Sequence, residues 1–136
     1  MTRRRRAGAD APLLAAAREV RARAHAPYSR FRVGAAVRDE RGRIHVGCNV
    51  ENVSYGLTVC AERNAVAAAV AAGARRIQAV AVVTAARTPA TPCGACRQVL
   101  AEVGDLRTVI LVAGPTGAAR RTTLGSLLPR AFVRFS

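Results

Sequence analysis

The chain has 136 residues, 51% of them hydrophobic and only 4% aromatic, with no tryptophan. That length buries one core and not two, and no apolar run approaches the ~20 residues a membrane span needs. The formal net charge of +14 invites an anionic partner, but every basic residue is Arg, spread along the chain apart from a run at 3–6. This reads as a compositional bias over a solvated surface, and no specific nucleic acid is expected.

Residues 1–10, with Arg3 to Arg6, read as a disordered Arg-rich arm, and 11–136 as a single domain. The arginines followed by Leu13 and Leu14 look like a crude export signal, but Asp10 precedes the apolar patch and Arg18-Glu19 cuts it short. The four cysteines therefore point to thiol chemistry in a reducing, cytoplasmic setting rather than to disulfides. Leu13, Leu14, Ala17, Val20 and Ala24 recur at helical spacing, which predicts a helix over 12–24 with Asp10 as a cap. Strands are predicted at 31–37 and 44–50, flanking Asp39-Glu40-Arg41-Gly42 as a hairpin turn. An alanine-rich helix over 64–72 stops at Gly73. The run at 77–84 reads as a strand buried on both faces. A helix over 93–103, a buried strand at 109–113 and a short helix near 124–128 complete the order. The fold class is α/β: a three-layer αβα sandwich around a mixed β-sheet of about five strands, hairpin first and parallel crossovers after.

The chemistry gathers at two helix starts. In Thr58-Val59-Cys60-Ala61-Glu62-Arg63 a cysteine and a carboxylate stand two residues apart, just where unpaired N–H groups favour a thiolate. In Pro92-Cys93-Gly94-Ala95-Cys96-Arg97-Gln98 two cysteines at i and i+3 share a helix face. A catalytic zinc takes three protein ligands and leaves the fourth position open, whereas a structural zinc closes with four. Both counts fit four cysteines. Cys48, alone in a predicted strand, reads as a small buried hydrophobe. Cys60, Cys93 and Cys96 are then the ligands of one zinc per chain. Glu62 is free to move protons, and Arg63 to donate hydrogen bonds to the sulfurs.

The Cys60-Ala61-Glu62 and Pro92-Cys93-Gly94-Ala95-Cys96 pair is similar to the zinc deaminase pattern. With Ala26-Pro27-Tyr28-Ser29, Phe31-Arg32-Val33-Gly34-Ala35-Ala36, Gly47-Cys48-Asn49-Val50-Glu51-Asn52 and Leu127-Leu128-Pro129-Arg130-Ala131-Phe132, the chain resembles the small, homotetrameric, zinc-dependent cytidine deaminases of pyrimidine salvage. The resemblance implies hydrolysis of cytidine, and of deoxycytidine, to uridine or deoxyuridine and ammonia. Zinc-activated hydroxide would attack, with Glu62 as the catalytic proton shuttle. It also implies that Asn49 and Glu51 hold the ribose hydroxyls, that Phe31 packs near the pyrimidine and that the Ala61 backbone contacts the base. Phe132 would reach a neighbouring subunit's site, giving a tetramer with shared active sites. His25 and His45 match no role. Two other readings compete: a deaminase of blasticidin-type nucleoside antibiotics, and a four-cysteine structural zinc module that binds nucleic acid through its arginines. A polynucleotide editor would need stacking platforms, for which the chain's three Phe and two Tyr are few.

Overall fold

Ile77–Val83 forms β3, the central strand, and every residue in it except Gln78 is buried. β1 (Gly34–Asp39) lies antiparallel to it on one side, and β4 (Val109–Ala113) parallel on the other. The outer strands, β2 (Ile44–Cys48) and β5 (Arg120–Thr123), run antiparallel to β1 and β4. The sheet order is therefore β2-β1-β3-β4-β5. The structure is a computed structural model that describes residues 3–134.

Side chains alternate across a strand, so β3 and β4 each feed two cores. Ala79, Ala81, Val83 and Leu111 meet Leu13 and Ala17 of α1 (Arg3–Arg21). Val80, Val82, Ile110 and Val112 face the opposite layer, formed by α2 (Ala61–Ala71), α3 (Gly94–Val103) and α4 (Leu124–Leu127). The three-layer α/β sandwich around a mixed five-stranded sheet is thus the architecture expected. Burying a Leu or Ile contributes ~1.5–3 kcal/mol relative to leaving it exposed. Leu13, Leu100, Ile110, Leu111 and Leu124 are accordingly the heaviest pieces of a core otherwise built from Ala and Val.

Small residues bring the site helix close. Ala61, Ala65 and Ala69 of α2 are fully buried, and a Cβ at Gly47 in β2 would collide with the backbone of Ala61 and Ala65. Glycine is needed there because the backbones touch. Gly34 admits the backbone of α1 at Ala17 and Arg21 in the same way.

Several local features depart from the sequence pattern. Helix α1 runs through 3–10, the segment expected as an Arg-rich arm, and Met1 and Thr2 lie outside the described residues. Pro12 sits inside α1 instead of at its start. The first turns carry no apolar stripe; the neighbouring strands hold the segment instead. Arg38 Nη1 donates to the Ala9 carbonyl at 2.9 Å, and Arg121 Nη1 pairs with Asp10 Oδ2 at 2.6 Å. Asp10 therefore serves as an ion-pair partner and not as a cap. The first strand begins at Gly34, not 31; before it only Asn49 N to the Val33 carbonyl, at 3.2 Å, continues the backbone pairing, and the Asn49 side chain supplies the rest. Asn49 Oδ1 accepts from Val33 N, and Asn49 Nδ2 donates to the Phe31 carbonyl, both at 2.8 Å. Finally, β5 carries Arg-Arg-Thr-Thr on a largely exposed edge, so it has no apolar alternation to announce it. Among the described residues, no helix is long and apolar enough to cross a membrane.

Candidate metal centre and active site

Cys60 is the N-cap of α2 and Cys93 the N-cap of α3, and neither side chain makes a capping hydrogen bond. Both sulfurs are therefore available at the positive ends of two helices. Cys96, one turn into α3, is fully buried. The three Sγ atoms all lie within 4.8 Å of one another, and Cys93 and Cys96 are 3.5 Å apart. Tetrahedral zinc with Zn–S near 2.3 Å needs sulfurs about 3.8 Å apart, so the three thiols fit zinc with small side-chain adjustments. Among the described residues Cys48 is not part of this group. Its carbonyl accepts from Asn64 Nδ2 at 2.9 Å, and the site is a three-sulfur one. The closed, four-cysteine structural reading fails on that geometry.

The electrostatics of the cluster favour a thiolate at Cys60. The Cys96 thiol donates to Cys60, and Arg63 adds a hydrogen bond and its charge; against partial burial these bring Cys60 down to about 5. The proton held toward Cys60, together with burial, pushes Cys96 up. Arg63 Nη2 lies 3.6 Å from Cys60 Sγ, while its buried Nε has no partner among the described residues. Three thiolates around a divalent ion leave one net negative charge, and a guanidinium placed here offsets it.

Glu62, in the first turn of α2, is 5% exposed. Burial, reinforced by the Cys60 charge, raises its pKa above the ordinary carboxylate value. It borders a cavity of about 270 Å³ whose wall also includes Phe31, Asn49, Glu51, Cys60, Ala61 and Cys93. The cavity is thus lined by every residue expected at the site except Cys96, Arg63 and Phe132. Cys96 is the fully buried member of the sulfur cluster, and Arg63 reaches Cys60 Sγ with its guanidinium. Phe132 belongs to the C-terminal segment, where Gln98 Nε2 donates to its carbonyl at 2.8 Å.

Asn49 and Glu51 are positioned by the chain itself. Beyond its bridge between 31 and 33, Asn49 sends its backbone carbonyl to His25 N at 3.0 Å. Glu51 Oε1 accepts from Tyr28 N and Ser29 N at 2.9 and 3.1 Å, and Oε2 from the Ser29 hydroxyl. The Ser29 hydroxyl first, then the two amides, hold the Glu51 pKa below the usual carboxylate value despite some burial. Each group keeps spare hydrogen-bonding capacity toward the cavity. Sequence reasoning missed Ser29, Thr58, Thr84 and Thr91, which also line it. Isolated hydroxyl residues in loops carry no spacing signal; for Ser29 alone, adjacency to the Pro27-Tyr28 turn was a hint.

The profile of the family described as "Cytidine and deoxycytidylate deaminase zinc-binding region" matches residues 9–113. A cytidine deaminase of Sporosarcina psychrophila is 45% identical over 120 residues, covering 88% of each chain. One from Mycobacterium tuberculosis is 48% identical over 116 residues, 85% of this chain and 84% of that one. The crystal structure of cytidine deaminase from Burkholderia pseudomallei superposes with a TM-score of 0.85 at 46% identity, covering 97% of this chain and 100% of that chain. With the three-thiol cluster, the buried glutamate beside it and similarity over nearly the whole length, the chain belongs to the cytidine and deoxycytidylate deaminase zinc-binding family.

Proposed function

We propose that this chain hydrolyses cytidine, and deoxycytidine, to uridine or deoxyuridine and ammonia, as a cytoplasmic nucleoside-salvage enzyme. The observation that carries the reading is Glu62: a buried carboxylate with a raised pKa, not a member of the metal cluster, bordering a cavity with Cys60 and Cys93. Zinc, when bound by Cys60, Cys93 and Cys96, supplies Lewis-acid activation of water.

The remaining steps are the work of the chain's own side chains. Glu62 accepts the proton that the attacking water gives up as its oxygen bonds to C4 of the pyrimidine. It delivers that proton to ring N3. It then carries the second proton to the exocyclic nitrogen, so that the C4–N bond breaks and ammonia leaves. A pKa raised by burial suits a group that must both take and give a proton. Asn49 and Glu51 hydrogen-bond the sugar hydroxyls, Phe31 packs by the base, and the Ala61 backbone contacts the ring. Arg63 keeps the Cys60 sulfur anionic. Phe132 lies outside the cavity of its own chain and serves a neighbouring subunit's site in a homotetramer.

The test compares cytidine, deoxycytidine and free cytosine by ultraviolet change and ammonia release, with zinc measured on the same sample. Turnover of both nucleosides and poor turnover of cytosine are expected, because the base alone forfeits the contacts to Asn49 and Glu51. Equal turnover of cytosine and cytidine overturns the sugar assignment. Zinc-loaded protein that turns over neither nucleoside overturns the reaction.

A further inference from the structure

The three sulfurs are not held alike. Cys60 follows Val59, which exchanges backbone hydrogen bonds with Val50 at 3.0 Å in each direction, and Cys96 sits on α3 itself. Cys93 is exposed and ends the irregular stretch 84–93. What fixes it is Arg97. The Arg97 backbone N donates to the Cys93 carbonyl at 2.9 Å, and its side-chain Nε donates to the Pro92 carbonyl at 2.7 Å. Those carbonyls belong to the two peptide planes that flank the Cys93 Cα. With both held, Cys93 has φ −66° and ψ 168°, which set the direction of the Cα–Cβ bond that carries its sulfur.

The same guanidinium continues outward. Nη2 donates to Thr91 Oγ1 at 2.9 Å, and Nη1 to the Leu127 carbonyl at 2.7 Å. The Leu127 carbonyl is at the C-terminal end of α4, where a helix leaves acceptors unpaired. Gln98, the next residue, holds the Phe132 carbonyl. One turn of α3 thus grips the ligand loop with one side of a rigid, planar fork and the C-terminal segment with the other. A lysine, with a point charge and no fork, cannot hold three acceptors in that geometry.

We propose that Arg97 is a positioning residue of the metal centre: it sets the orientation of Cys93 and couples that ligand to the C-terminal segment from Leu127 to Phe132. This rests on the three cysteines as ligands and not on the reaction, so metal readouts decide it. The experiment uses zinc-loaded full-length protein carrying Arg97→Lys, Arg97→Met or Gln98→Ala. Arg76→Met is the control, since Arg76 also ties a helix end (Gly104 O, 3.0 Å) but away from the sulfurs. Zinc release to a chromogenic chelator and the absorption spectrum of the cobalt(II) form are measured beside thermal stability.

Partners of metal ligands typically affect affinity by about 10–100-fold. Both Arg97 variants should release zinc about that much faster and shift the cobalt–thiolate bands, whereas Arg76→Met keeps the parental rate and spectrum even where it melts earlier. Gln98→Ala, at an exposed side chain outside the core, tests the coupling separately and should speed release several-fold. Parental release and spectrum in Arg97→Met overturn the positioning role, as does equal acceleration in Arg76→Met, which would be general loosening. Unchanged release in Gln98→Ala overturns the link to the C-terminal segment.

Discussion

Glu62 and a glutamine in its place have the same shape, but only the acid can take a proton. General acid–base groups contribute typically ~10²–10⁴-fold, and one used for two transfers belongs at the upper end. Glu62→Gln should therefore lose activity on cytidine by roughly that factor while retaining zinc and thermal stability, because the carboxylate is not a ligand. Turnover within about threefold of the parent would remove Glu62 from the mechanism. The cysteines divide in the same spirit. Cys93→Ala should lose zinc in elemental analysis and Cys48→Ala should keep one equivalent, since Cys48 stands outside the sulfur cluster. A Cys48 variant stripped of zinc would contradict the three-sulfur centre. At this scale the metal site was legible in the sequence, because cysteines at helix starts advertise both their spacing and their charge environment. The second job of Asn49 was not. An amide that bridges Phe31 and Val33 in place of a strand ladder is visible only once the two segments are side by side.

The β1–β2 hairpin is pinned by one buried acid. Burial works to raise the Asp39 pKa, but His45 Nε2 at 2.8 Å, the Arg41 and Arg43 amides and the Arg43 charge outweigh it. They hold the carboxyl well below its usual range. A carboxyl whose folded pKa lies below its unfolded value of about 3.9 adds stability that is complete above that pH. That stability is lost as the pH falls through the folded value. Asp39→Asn should therefore be less stable than the parent by a constant margin from pH ~7 to ~5, and the margin should shrink below ~4. Urea midpoints across that range measure it. A margin that persists undiminished at pH ~2 would show that the carboxyl's charge is not what holds the hairpin. Elements announced by apolar period, β3 above all, were readable from the sequence. The first turns of α1 were not, because arginines reaching a carbonyl and a carboxylate hold them, and β5 was not, because it is an exposed edge that pairs with β4 through its backbone; neither leaves a periodic trace.

Across the whole molecule, the order of elements and the sandwich followed from hydrophobic pattern and turn residues, while the assembly of subunits leaves no such mark within one chain. Arg4, Arg5, Arg6 and Gly8 are exposed, and the ties from Arg38 and Arg121 reach Ala9 and Asp10. Removing residues 1–8 should leave zinc content, cytidine turnover and subunit number unchanged. A different mass by light scattering would show that those arginines hold a second copy. The contact between Gly47 and α2 also limits how the length of this chain can vary. Gly47 pairs with Ala35, and its neighbours Val46 and Cys48 point to the opposite face of the sheet. A single residue inserted or deleted in the 40–43 turn would slide β2 by one and turn a side chain toward the backbone of Ala61 and Ala65, where only hydrogen fits. The β4–β5 connection at 114–119 leads to an exposed edge strand and carries no such parity. Length change in descendants of this sequence is therefore permitted at the far edge of the sheet and forbidden, by odd steps, at the edge that seats the zinc helix.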